Sequence, residues 1–107
     1  MPLPEALRNV RAFVFDLDGT LYQSEQALPG AVEAIRALQQ AGYAVCFATN
    51  TTSKSRHQLV EKLRRLGFEA SADRVFSPPA LAGAFLRAQG ASAYLLVPEA
   101  ALEDFAG

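Results

Sequence analysis

The residues able to do chemistry in this 107-residue chain gather in two short runs. The first is Asp16-Leu-Asp-Gly-Thr20, two carboxylates separated by one apolar residue. On an extended chain, residues i and i+2 point to the same side, roughly 6.5 Å apart along it. An acidic pair at the end of an apolar stretch is costly unless it meets a cation or its charge is put to use. The second run is Thr49-Asn-Thr-Thr-Ser53, whose hydroxyl and amide groups can donate hydrogen bonds to an anion. A helix opening after such a run would add backbone N–H groups and its dipole. Acid on one segment and anion donors on another together suit a divalent metal bridging a phosphate.

Both runs follow short apolar segments, and the pattern around them is that of an α/β fold. Arg11 to Asp18 is β-branched and aromatic, too short for a buried helix, and reads as the first strand. After Pro29-Gly30, Ala31, Ile35 and Leu38 recur at helical spacing as far as Gly42. Tyr43 to Ala48 is a second strand, apolar on both faces as in the middle of a parallel sheet. Leu59, Val60, Leu63 and Leu66 mark a second helix ending at Gly67, with Glu61 and Arg65 spaced as an i,i+4 pair. Val75-Phe76 is at most a short strand. Ser77-Pro78-Pro79 opens a third helix that places Leu81, Phe85 and Ala88 on its packing side, and Tyr94 to Val97 reads as a last strand. The expected architecture is therefore α/β, a Rossmann-like parallel sheet with flanking helices, one β-α-β-α-(β)-α-β unit. In such sheets ligands sit at the carboxyl ends of the strands, where both runs fall.

Composition narrows the class further. Half the chain is apolar, but 20 residues are Ala, so the core rests on 14 Leu, 7 Val, 7 Phe and a single Ile. That suffices to exclude a disordered chain. A net charge of -1 with both signs interspersed leaves no basic footprint, so neither nucleic acid nor a membrane surface is an expected partner. The lone Cys46 excludes an internal disulfide framework. Pro2, Pro4 and Glu5 stand where a signal peptide would be basic and then apolar. The expected setting is cytoplasmic.

Phe15-Asp-Leu-Asp-Gly-Thr-Leu21 resembles, over all seven residues, the first signature motif of haloacid dehalogenase-like phosphatases. Phe47-Ala-Thr-Asn-Thr-Thr-Ser-Lys-Ser-Arg56 is similar to the second motif of the large-cap branch, which includes the p-nitrophenylphosphatase-like and phospholysine phosphohistidine inorganic pyrophosphate phosphatase-like proteins. The likeness continues through Leu66-Gly-Phe68 and Tyr94 to Val97. It implies a Mg²⁺-dependent phosphomonoester hydrolase acting on a small phosphorylated substrate. In that scheme Asp16 is the nucleophile, forming an aspartyl-phosphate, and Asp18 the general acid and base. Mg²⁺ is held by the Asp16 carboxylate and the main-chain carbonyl of Asp18, while Thr49 and Asn50 hold the phosphoryl oxygens. Thr51 stands where this branch commonly has a second Asn, within the same phosphate-binding run.

The resemblance also implies a later Lys and later acidic metal ligands, but no Lys follows Lys62, and no strand delivers Glu103-Asp104 to the site. Residues 1–107 are therefore expected to be the N-terminal part of a longer hydrolase core, without its cap domain and C-terminal half. The first strand would then leave Phe13, Phe15 and an unpaired edge exposed, an invitation to self-association. The alternatives are a non-catalytic phosphate- or metal-binding or interaction fragment, and a receiver-like phosphoacceptor module. A receiver would need its acceptor Asp on a later strand, where Cys46-Phe47-Ala48 leads only to Thr49. Read blandly, Asp16 and Asp18 cap a turn, Thr49 to Ser53 caps a helix, Lys54, Arg56 and His57 are solvated, and Tyr22 and Phe105 only pack.

Overall fold

The computed structural model describes residues 4–106. The first apolar segment forms β1 (Ala12–Asp16), and a two-residue hairpin follows, β2 (Tyr22–Gln23) with β3 (Gln26–Ala27). Then come α1 (Ala31–Gln40), β4 (Ala44–Ala48), α2 (Arg56–Arg65), β5 (Val75–Phe76) and α3 (Pro78–Gln89). Short 3-10 segments cover Glu5–Leu7, Ala72–Arg74 and Glu99–Phe105. β1, β4 and β5 make a parallel sheet in the order β1-β4-β5, with Phe15 level with Phe47 and Asp16 with Ala48.

The period of two along the strands decides which face is covered. Val45 and Phe47 of β4 and Leu17 just past β1 are buried against Ile35 and Leu38 of α1 and Leu59 and Leu63 of α2. Both helices thus cover one face. Phe13 and Phe15 lie half-buried on that same face, where Phe13 meets Tyr43 edge-on at 5.3 Å between ring centroids. The opposite face is open, and its Val14 is 67% exposed.

Four expectations are corrected. Tyr94 to Val97 is no strand: the segment pairs with nothing, and Tyr94 and Leu96 are 90% and 87% exposed. An apolar β-pattern needs a neighbour to pair with before it becomes a strand. On α3 the buried positions are Pro79, Ala80 and Gly83, whereas Leu81 and Phe85 are more than half exposed. The small face is the one that packs, because Gly83 meets the Glu99–Phe105 segment at backbone distance. A Cβ built on Gly83 would lie 2.1 Å from the Asp104 carbonyl oxygen. Glu61 pairs with His57 at 3.0 Å rather than with Arg65, which reaches Glu25 at 2.8 Å. Finally, β1 exposes Val14 rather than Phe13 and Phe15, since the phenylalanines point towards the helices.

Candidate active site

The two chemical runs sit at the carboxyl ends of adjacent strands. Asp16 closes β1 and is solvent-exposed, Leu17 is fully buried, and Asp18 is exposed again. The buried Leu17 anchors the turn from inside: its carbonyl, not that of Asp18, accepts hydrogen bonds from the Thr20 and Leu21 N–H groups at 3.1 and 2.8 Å. Gly19 turns the chain at φ +80°, a region where a side chain is strained, and donates its N–H to the Tyr22 carbonyl at 2.8 Å. The turn therefore presents both carboxylates outward, and among the described residues neither is taken up by an ion pair.

Asp16, Thr49 and Asn50 line one cleft of about 440 Å³, bounded by Val14 and by Ser77 and Pro78 at the start of α3. Asp18 and Thr51 line a second cleft of about 290 Å³, together with Tyr22, Ser53, Lys54 and Lys62. The expected site residues are thus divided between two clefts. A hydroxyl pair joins them, Thr49 Oγ1 lying 2.9 Å from Thr51 Oγ1. The Thr51 N–H also donates to Thr49 Oγ1 at 3.1 Å, and the Thr49 N–H donates to the Phe76 carbonyl at 3.0 Å. The Thr49 hydroxyl accepts from the Thr51 N–H and keeps its own proton to give, either to the Thr51 hydroxyl or to an anion.

Thr49 to Ser53 is not the helix cap. That role belongs to Ser55, which is fully buried and exchanges a reciprocal pair of hydrogen bonds with Gln58. The N-terminus of α2 is not open to an anion either. The Arg56 N–H donates to both carboxylate oxygens of Asp104 at 3.0 Å, and the Ser55 hydroxyl donates to Glu103. The late acidic pair therefore holds the start of α2. A helix N-terminus favours negative charge, and here the chain itself supplies it.

Of the residues lining the second cleft, Lys62 is the one that sequence reasoning passed over, whereas Lys54 and Tyr22 entered it as a solvated and a packing residue. Tyr22 is buried, and desolvation, then Asp18, then Asp16, raises its phenol above the ordinary tyrosine range and keeps it protonated. Lys62 places its ammonium 4.2 Å from the Tyr22 ring centroid. A signal was present: Lys62 stands three residues after Leu59 and four before Leu66, a charge on an apolar stripe. A larger depression, about 650 Å³, lies beside Tyr43 and Ala44 at the amino end of β4, away from these groups.

Comparison with known proteins bears on the family and the fold. The family model described as haloacid dehalogenase-like hydrolase matches residues 13–107. The chain is 40% identical over 102 residues to human haloacid dehalogenase-like hydrolase domain-containing protein 2, covering 95% of this chain and 39% of that protein. It is 37% identical over 108 residues to human phospholysine phosphohistidine inorganic pyrophosphate phosphatase, covering 97% and 40%. The 4-nitrophenylphosphatase of Thermotoga maritima superposes with a TM-score of 0.84 at 25% identity, over 95% of this chain and 40% of that one. The chain spans about 40% of the length of these relatives.

Proposed function

Because this chain belongs to the haloacid dehalogenase-like hydrolase family, we propose that it carries the nucleophile half of a phosphomonoester hydrolase that works through an aspartyl-phosphate. The observation that carries this reading is the meeting of the Asp16 carboxylate with Thr49 and Asn50 in one cleft at the carboxyl ends of β1 and β4. Thr49 and Asn50 orient the phosphoryl group by hydrogen bonds to its oxygens. An Asp16 oxygen attacks phosphorus as the bond to the leaving alkoxide breaks, and protonated Asp18 gives that oxygen its proton. Asp18, now a carboxylate, takes a proton from the water that attacks the acyl-phosphate, which frees Asp16 and inorganic phosphate. Thr51 acts at one remove, through the hydroxyl of Thr49.

The donor set fits Mg²⁺. The exposed Asp16 carboxylate and the Asp18 main-chain carbonyl would hold it, both hard oxygens, and Mg²⁺ is commonly bound by one or two carboxylates with water and substrate phosphate. When bound, it would draw charge from the phosphoryl oxygens. A second reading, a phosphate-binding or interaction fragment without turnover, is favoured by one observation: among the described residues no group of three His, Cys, Asp or Glu side chains is placed to hold a metal.

Hydrolysis of p-nitrophenyl phosphate with and without Mg²⁺ separates the two, with Asp16→Asn as the blank. Metal-dependent turnover that vanishes in the variant is the expected result, because an amide cannot form the acyl-phosphate. Turnover undiminished in Asp16→Asn removes Asp16 from the nucleophile's role. No turnover above the blank favours the fragment.

A further inference from the structure

The cleft beside Asp18 holds an arrangement that phosphate-ester chemistry at Asp16 does not use. Asp18 is its one acidic lining residue among those described, against the two ammonium groups of Lys54 and Lys62, so its charge is positive. The Lys62 side chain is only 9% exposed. Its nearest anion, the exposed Glu25, stands 3.8 Å away, and the other oxygen of that carboxylate is 2.8 Å from Arg65. Glu25 is thus shared, and it leans to the guanidinium. Desolvation first, and the charge of Lys54 second, push the Lys62 ammonium below the ordinary lysine range. Two cations held together with one largely buried are repulsive and costly unless an anion lies between them. Thr51 and Ser53 bring hydroxyl donors to the same cleft, and the Thr49–Thr51 pair connects it to the cleft of Asp16.

We propose that Lys54 and Lys62 form an oxyanion subsite that receives a second anionic group, phosphoryl or carboxylate, of the substrate whose phosphate ester is held by Asp16, Thr49 and Asn50. This rests on the phosphatase reading and names its substrate class: a phosphate ester bearing a further negative charge. Such a subsite discriminates between substrates, because one lacking the second charge leaves the largely buried Lys62 ammonium with only the shared Glu25 as its anion and Lys54 beside it. Tyr22 serves it as a positioning residue, its ring fixing the Lys62 ammonium from the inner side.

Glycerol 3-phosphate and 3-phosphoglycerate test this, since they differ in a single carboxylate. Each is titrated into the metal-free 107-residue chain while the Lys54 and Lys62 side-chain signals and the Tyr22 ring are followed by NMR. The expected result is that 3-phosphoglycerate moves all three and binds about tenfold tighter, the equivalent of one charge-assisted hydrogen bond. Lys62→Met and Lys54→Met should each bring the two ligands close to equal affinity, while Lys62→Arg keeps the preference. Lys54→Met alone decides the matter if Lys62→Met does not fold. Equal affinity in the unaltered chain, or lysine signals that stay still at millimolar ligand, overturns the subsite and leaves the role of Asp16 untouched. A tenfold preference beside undiminished turnover in Asp16→Asn would instead overturn the nucleophile and leave the anion site standing.

Discussion

Thr51 is where the two clefts meet, and both its N–H and its hydroxyl touch the Thr49 hydroxyl, restricting how that hydroxyl turns. Thr51→Val keeps the shape and the N–H bond to Thr49 Oγ1 but removes the second contact. A hydrogen bond of this kind is worth about 1 kcal/mol. The expected outcome is roughly a fivefold fall in kcat/KM for p-nitrophenyl phosphate, with stability changed by no more than about 1 kcal/mol. Steady-state rates and urea midpoints of the two proteins decide it; unchanged rates would mean that Thr49 needs no holding. At this scale the sequence was informative about Asp16, Asp18, Thr49 and Asn50, because strand-end position and residue type alone place them. It was silent on the partition into two clefts, since that depends on β1 ending at Asp16 and on Leu17 being driven inward.

Among the elements, α3 and the Glu99–Phe105 segment form a unit built on the absence of a side chain. Gly83 lets the Asp104 carbonyl approach to where a methyl group would stand, and Arg87 donates to the Asp104 and Ala106 carbonyls at 3.0 and 3.1 Å. Because Asp104 also holds the Arg56 N–H, a change on α3 reaches the start of α2. Gly83→Ala raises helix propensity, which alone would stabilise by about 1 kcal/mol. The clash with a backbone oxygen is the larger effect, and the expected net result is a loss of about 1–3 kcal/mol with the 3-10 segment displaced. Faster hydrogen exchange at the Arg56 amide would report it, and protection equal to that of the unaltered chain would show that α3 and α2 are uncoupled. None of this was legible from spacing. An apolar stripe such as Leu81 and Phe85 says what is greasy, not what lies opposite, and a cap supplied from 48 residues downstream leaves no local pattern. The Ser55-x-x-Gln58 box is written in the sequence, and the longer polar run Thr49 to Ser53 just before it drew the cap too early.

The molecule as a whole is a slab, 48 × 31 × 18 Å, with a radius of gyration of 15.6 Å. A compact domain of this length would have about 13 Å. The excess goes with a sheet whose α1 and α2 lie on one face and whose β1 edge is open, with Val14 on that strand and Leu81 and Phe85 on α3 exposed. Unpaired strand edges with apolar side chains recruit further strands. Sedimentation velocity over a concentration series should therefore show association of the chain, suppressed by Val14→Lys on the edge strand. A monomer of unchanging sedimentation coefficient would count against edge pairing. The alternation of helix and strand pointed to a parallel sheet with flanking helices, and it could not say in which order the strands lie or that β1 would stand at an edge. Among the described residues no helix is long and apolar enough to cross a membrane. The clasp of Glu103 and Asp104 on Ser55 and Arg56 also sets an order in time. β1 and β4 can pair once residue 48 has left the ribosome, and Ser55 and Gln58 can cap α2 locally, but the clasp on Arg56 waits for residue 104. Loop closure over that distance comes late in folding, so the strands on which Asp16 and Thr49 depend are in place before the contact that steadies the start of α2.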